Sequence, residues 1–308
     1  MPDGDAIKKD LIFFLKEKLG FNNNQIYINP NIVLKNKEKT LIEKFLKQKE
    51  EGIPLDYILN SSKFYEYEFF VDSRVLIPRP ETEIIVDYVN NHFSSSINVL
   101  DAGTGSGCIG ISIALQNPSF KVYGSDYSED AIDVAFTNKN NLDVKNFSPI
   151  LADWLSCFKT KCFDLIVSNP PYITEGDPHL EKLIHEPNIA LVSREDGLFC
   201  IKKIVEQSTK TLKNGGTLII EHGYQQQNDV EVIFKRNNFS KIINLKNPCF
   251  IPRNHLIEDA LINAVDGSMK EINLIAELLK EPFTEKKGFE KYTLAPSSNE
   301  PYITYCGT

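Results

Sequence analysis

Apolar positions recur at helical spacing near the start of the chain. Ile7, Leu11, Leu15 and Leu19 fall four apart, Gly20 follows as a stop, and Leu41, Ile42, Phe45 and Leu46 repeat the stripe. This predicts a small helical domain over residues 1–62. The period then shortens: from Phe64 to Val71 the chain alternates partly at two and is rich in aromatics, which predicts a hairpin, read here as a linker over residues 63–75.

From Ile97 onward short apolar runs are separated by helix-length stretches. The runs are Val99-Leu100, Val122-Tyr123, Phe163 to Val167 and Thr217 to Ile220. Strands joined by crossover helices predict an α/β fold with a parallel, doubly wound sheet over residues 76–246. Ligands of such sheets sit at the carboxyl ends of the strands, so the residues just after each run carry the chemistry.

Composition narrows the classes. The 308 residues are 42% hydrophobic and 25% charged, enough to bury a core, and no run of about 18 apolar residues predicts a membrane span. The opening residues lack a basic stretch followed by an apolar one, so no secretory signal is expected. A net charge of −8 argues against holding a polyanion by bulk attraction, and no direct nucleic-acid binding is expected. Six cysteines without a CxxC pair predict reduced thiols in a cytoplasmic protein, with no metal site. His179, His185 and His222 lack metal-ligand spacing and are read as structural, and Cys108 and Cys162 as packing residues.

After the first strand comes Asp101-Ala102-Gly103-Thr104-Gly105-Ser106-Gly107-Cys108-Ile109-Gly110. Its glycines permit a tight turn and close approach of a ligand to backbone N–H groups. Gly105, Gly107 and Gly110 also fit the dinucleotide fingerprint, and Asp126, about 20 residues on, suits the ribose hydroxyls of either kind of cofactor.

A second motif, Asn169-Pro170-Pro171-Tyr172, follows the Phe163 to Ser168 run. The Asn169 side-chain oxygen and the Pro170 carbonyl can both accept hydrogen bonds from an amino group, while two prolines stiffen the turn. Tyr172 offers an apolar face to a planar group, and exclusion of water suits in-line methyl transfer. A nicotinamide enzyme has no use for this motif.

Taken together with Gly52-Ile53-Pro54-Leu55-Asp56-Tyr57-Ile58-Leu59, Leu76-Ile77-Pro78-Arg79-Pro80-Glu81-Thr82-Glu83, Asp153-Trp154, Asp177-Pro178-His179-Leu180 and Glu221-His222-Gly223, these residues resemble the release factor glutamine methyltransferases over residues 1 to about 245. The resemblance implies a Rossmann-like class I S-adenosylmethionine-dependent methyltransferase sheet with an N-terminal substrate-recognition domain. It implies that Gly103, Thr104, Gly105, Ser106 and Gly107 hold the methionine end of S-adenosylmethionine, Asp126 the ribose and Trp154 the adenine region. Asn169, Pro170, Pro171 and Tyr172 would grip the glutamine amide of the Gly-Gly-Gln motif in peptide chain release factors, the expected partners of a monomeric enzyme. Pro80 is placed to open the helix carrying Ile84, Ile85 and Tyr88. Arg79 and Glu83 are read either as rim contacts of the pocket or as a surface ion pair.

The pattern breaks after Lys246. The family's sheet has a seventh, antiparallel strand between the fifth and sixth, but Pro248 and Pro252 enclose only Cys249-Phe250-Ile251, and prolines are excluded from central strands. The seventh strand is expected to be missing and the fifth strand's edge exposed. Residues 247–308 instead resemble the C-terminal end of the selenoprotein O family of kinase-like protein adenylyltransferases, through Asn247-Pro248, Phe250 to Leu256, Pro282-Phe283 and Cys306-Gly307-Thr308. Leu256 to Ala264 and Ile272 to Leu279 predict two tail helices. The expectation is a methyltransferase joined to a foreign C-terminal fragment. Alternative readings are methylation of an adenine amino group in nucleic acid, and a catalytically silent chimera.

Overall fold

The computed structural model describes residues 4–27, 33–245 and 302–307, which divide into two compact units at Leu59 and Asn60. In the first, α1 (Gly4–Leu19), α2 (Asn23–Tyr27), α3 (Asn36–Glu50) and α4 (Leu55–Leu59) gather the predicted apolar stripes. Leu11, Phe14, Ile42 and Phe45 form its core, with the Phe14 and Phe45 rings 4.6 Å apart. Glu38 accepts from the Lys35 N–H at 2.7 Å and so caps the start of α3.

The second unit opens with β1 (Ser62–Phe64) and β2 (Tyr67–Phe69), an antiparallel hairpin pairing Phe64 with Tyr67. Here the hairpin read as a linker over 63–75 is corrected to part of the second unit, which begins at Asn60. Phe64 and Phe69 are 1% and 0% exposed and share a core with Ile85, Val86 and Val89 of α5 (Glu83–His92). A ribbon whose aromatics are buried in a core belongs to that core.

The sheet follows: β3 (Asn98–Ala102), α6 (Cys108–Gln116), β4 (Lys121–Asp126), α7 (Glu129–Asn141), β5 (Phe147–Leu151) and β6 (Phe163–Ser168). After β6 come α8 (Asn188–Leu191), α9 (Phe199–Thr211), β7 (Leu212–His222), α10 (Gln227–Arg236), β8 (Lys241–Leu245) and β9 (Tyr302–Gly307). Strand order is β5-β4-β3-β6-β7-β9-β8, and β9 is antiparallel to both its neighbours. Neighbours from β5 to β7 are parallel. Val99, Leu100, Leu165, Ile166, Leu218 and Ile219 are fully buried, as a sheet covered on both faces requires. Chain order reverses at β3, which pairs with β4 on one side and β6 on the other, and this opens a crevice between the ends of β3 and β6.

The missing seventh strand is also corrected. Residues 302–307 run between β7 and β8, pairing Ile219 with Tyr305 and Ile243 with Tyr305, so β7 is bonded on both sides. Sequence adjacency misled: the strand comes from the far end of the tail rather than from the proline-flanked segment. With the slot filled, the silent chimera loses one of its two premises, the uncovered sheet edge; the other, a tail that blocks the pocket, lies outside the described residues. Cys249 to Ile251 and the two predicted tail helices lie outside the described residues.

Candidate active site

The loop after β3 is shaped by backbone that only glycine adopts freely. Gly103, Gly105 and Gly107 have φ of +75°, +54° and +84°. Gly107 stands immediately before α6, and a Cβ on Gly103 would lie 2.9 Å from Trp154 Cζ3. A Cβ on Gly110 would meet the Phe147 ring at 2.6 Å, so this glycine serves close helix–sheet packing.

Two carboxylates hold the loop. Asp101, fully buried, accepts from Thr104 Oγ1 at 2.6 Å and from the Gly110 N–H at 2.9 Å. Burial raises its carboxyl to about 6, against the pull of those two hydrogen bonds. Asp126 accepts from the Gly105 N–H at 2.9 Å and the Ser128 N–H at 3.0 Å, and burial raises its pKa too. Asn138, fully buried, donates to the Ser106 carbonyl at 2.8 Å and to the Phe70 carbonyl at 2.9 Å, tying the loop to the hairpin.

Across the crevice Ser168 Oγ donates to the Ala102 carbonyl at 2.6 Å, fixing the end of β6 beside β3. Asn169 Nδ2 donates to Thr82 Oγ1 at 3.0 Å, Thr82 Oγ1 donates to Glu221 Oε2 at 2.7 Å, and the Tyr172 hydroxyl donates to Glu221 Oε1 at 3.1 Å. Glu221 is 1% exposed, and burial pushes its carboxyl up to about 7. Burial and the neighbouring Glu221 charge drive the Tyr172 phenol well above its ordinary range. Behind the turn, Gln226 Nε2 donates to the Tyr172 carbonyl at 3.0 Å and the Asp196 carbonyl at 2.9 Å. A Cβ on Gly197 would lie 2.1 Å from the Tyr172 oxygen, so the turn is clamped at close quarters.

Gly103, Thr104, Gly105, Ser106, Asp126, Trp154, Asn169 and Pro171 line one cleft together with Arg79 and Thr82. Gly107, Pro170 and Tyr172 adjoin lining residues in the chain. Arg79 and Glu83 do not pair with each other, which corrects the ion-pair reading. Arg79 binds Glu186 at 2.6 Å, and Glu83 accepts from the Tyr65 N–H at 2.7 Å. Burial raises the Cys108 thiol to about 12, in keeping with a packing role. Thr82, Asn138, Glu186 and Gln226 went unassigned in the sequence, because each acts through a partner more than 30 residues away.

A parallel sheet with one reversed strand inserted beside its last parallel neighbour, and a glycine loop held by the half-buried acid that ends the neighbouring strand, define a class I methyltransferase. Residues 93–250 match the family model described as a methyltransferase domain. The chain is 32% identical over 219 residues to the release factor glutamine methyltransferase of Coxiella burnetii, covering 70% of this chain and 79% of that one. It is 33% identical to the Escherichia coli enzyme of the same name (75% and 84% covered) and 37% identical to that of Streptococcus pneumoniae (65% and 72%). The chain belongs to the release factor glutamine methyltransferase family.

Proposed function

We propose that this cleft binds S-adenosylmethionine and a glutamine side chain, and that the protein N5-methylates the glutamine of the Gly-Gly-Gln motif in peptide chain release factors. The observation that carries the reading is the meeting, in one cleft, of a glycine loop and the half-buried Asp126 with Asn169 and Pro171 of the Asn-Pro-Pro-Tyr turn. S-adenosylmethionine, when bound, supplies an electrophilic methyl group. The residues fit it: the Cβ direction of Gly105 opens on free space, so a ligand can approach the loop's backbone, and Asp126 lines the same cleft. Gly103 to Gly107 are assigned to its methionine end, Asp126 to the ribose hydroxyls and Trp154 to the adenine.

The chain's own part is positional. Asn169 Oδ1 and the Pro170 carbonyl accept the two N–H bonds of the glutamine amide, which leaves the nitrogen's π face turned out of that plane. Pro171 and Tyr172 wall the planar group and exclude water. No nucleophilic side chain is required: the amide nitrogen itself takes the methyl group and gives up one N–H proton, passed by way of its carbonyl acceptors to solvent. The helical unit is assigned to recognition of the release factor, since one glutamine side chain carries little sequence information. Cys108, Cys157, Cys162 and Cys200 are unpaired thiols, which supports a cytoplasmic setting.

The test is methylation of a purified release factor, read by peptide mass spectrometry at the Gly-Gly-Gln glutamine. Asn169→Ala should lower transfer about a hundredfold or more, by analogy with removal of one oriented hydrogen-bonding group, while leaving the affinity for S-adenosylmethionine within a few fold. Equal loss of donor binding and transfer would overturn the role given to Asn169.

A further inference from the structure

Thr82 has one hydroxyl proton and stands between two polar side chains. Its Oγ1 is 2.7 Å from Glu221 Oε2 and 3.0 Å from Asn169 Nδ2. Thr82 and Glu221 are 2% and 1% exposed, so water does not serve either in place of these partners. An ionised carboxylate only accepts, so the hydroxyls of Thr82 and Tyr172 both turn their protons to Glu221. Thr82 then has only lone pairs left for Asn169, and Asn169 must meet it with the NH2 end of its amide. The oxygen end is left for a ligand, and among the described residues it has no hydrogen-bond partner.

We infer that Glu221 is a positioning residue that sets the direction of this relay, so that Asn169 presents its oxygen to the substrate and selects a glutamine amide over a glutamate carboxylate. This rests on the reading that Asn169 receives the amide. An amide orientation is not self-fixing: the two ends of Asn differ little in size, and only the network decides between them. A protonated Glu221 can donate to Thr82. Thr82 can then donate to Asn169 Oδ1, and the NH2 end turns outward, opposing an incoming NH2 and favouring a carboxylate. A site that hydrogen-bonds one polar end rejects the analogue lacking it, because a buried group is then left unpaired.

Other charges bear on Glu221. Burial first, and then Glu81, the residue before Thr82, oppose its ionisation, while Thr82, Tyr172 and Asn169 favour it through hydrogen bonds. Arg79 acts on Tyr172 in the opposite sense to Glu81. The ionising range therefore falls near neutrality, where it shows in a rate profile.

The experiment compares two release factor peptides, one with the natural glutamine and one with glutamate in its place. Competition by the glutamate peptide and kcat/KM for the glutamine peptide are followed from pH 5.5 to 9 with the full chain. Asn169→Ala comes first; if it leaves transfer intact, the site reading fails and this inference with it. With that control satisfied, the unmodified protein should gain activity as Glu221 ionises and should reject the glutamate peptide. Glu221→Gln should flatten the rise, lower kcat/KM about ten- to a hundredfold, in line with one unpaired buried polar group, and let the glutamate peptide compete. Thr82→Val should reproduce the loss of discrimination and Thr82→Ser should recover it, which a purely structural role would not produce. An unchanged pH profile and unchanged discrimination in Glu221→Gln and Thr82→Val, in samples that melt cooperatively, would overturn the inference.

Discussion

The Gly105 N–H donates to Asp126 Oδ2 at 2.9 Å, so the turn after β3 is held by the last residue of β4. Asp126 also caps the next turn through the Ser128 N–H at 3.0 Å. One carboxylate thus shapes the loop and faces the cleft. Asp126→Ala should weaken S-adenosylmethionine binding by about tenfold or more, the scale of a lost charge-assisted hydrogen bond, as measured by titration calorimetry. Affinity unchanged by the substitution would remove Asp126 from the site.

Trp154 is the chain's one tryptophan, and it lies against Gly103. Intrinsic fluorescence therefore reports on this loop directly. Gly103→Ala places a methyl group 2.9 Å from Trp154 Cζ3 on backbone with φ +75°. The left-handed conformation alone costs about 1–2 kcal/mol for an L side chain, so the variant should show a lower melting temperature, a shifted emission maximum and weakened quenching by S-adenosylmethionine. An identical spectrum would mean the indole is not seated there.

Asp101 makes stability depend on pH. Its folded-state carboxyl, raised from 3.8 to about 6, holds a proton the unfolded chain has already lost. Its contribution is therefore present below about pH 4 and lost as pH rises through about 6, amounting to about 3 kcal/mol. Denaturant unfolding across that window should show the decline, and Asp101→Asn should flatten it. A curve of the same slope in both proteins would assign the dependence elsewhere.

Phe69→Ala tests the placement of the hairpin in the sheet-bearing unit. Phe69 is fully buried in the methyltransferase core, so its removal should cost about 3–5 kcal/mol and lower the melting of the sheet-bearing unit. A hairpin that merely connected two domains would lose far less.

The sequence was most legible where a single local pattern decides structure. The stripe of α1, the runs of β3 and β6 and the glycine loop after β3 all announce themselves within a few residues. β5 did not, because Pro149 interrupts its pattern; an edge strand tolerates the missing N–H, and β5 lies at the edge. β9 was missed because strand pairing is nonlocal: nothing in residues 302–307 names β7 and β8 as partners. The same holds for the Thr82–Glu221 and Arg79–Glu186 pairs, whose members are 139 and 107 residues apart.

Among the described residues β8 is hydrogen-bonded to β9 alone, and β9 reaches its place only after residues 246–301 have intervened. Backbone amides of Lys241–Leu245 thus depend for protection on a distant stretch of chain. Pairing strands so far apart in sequence carries an entropic penalty before any ladder bond forms. Hydrogen exchange should accordingly divide the sheet: β3, β4, β6 and β7 exchange only by global unfolding, whereas β8 and β9 exchange together through a smaller opening that leaves the glycine loop after β3 in place.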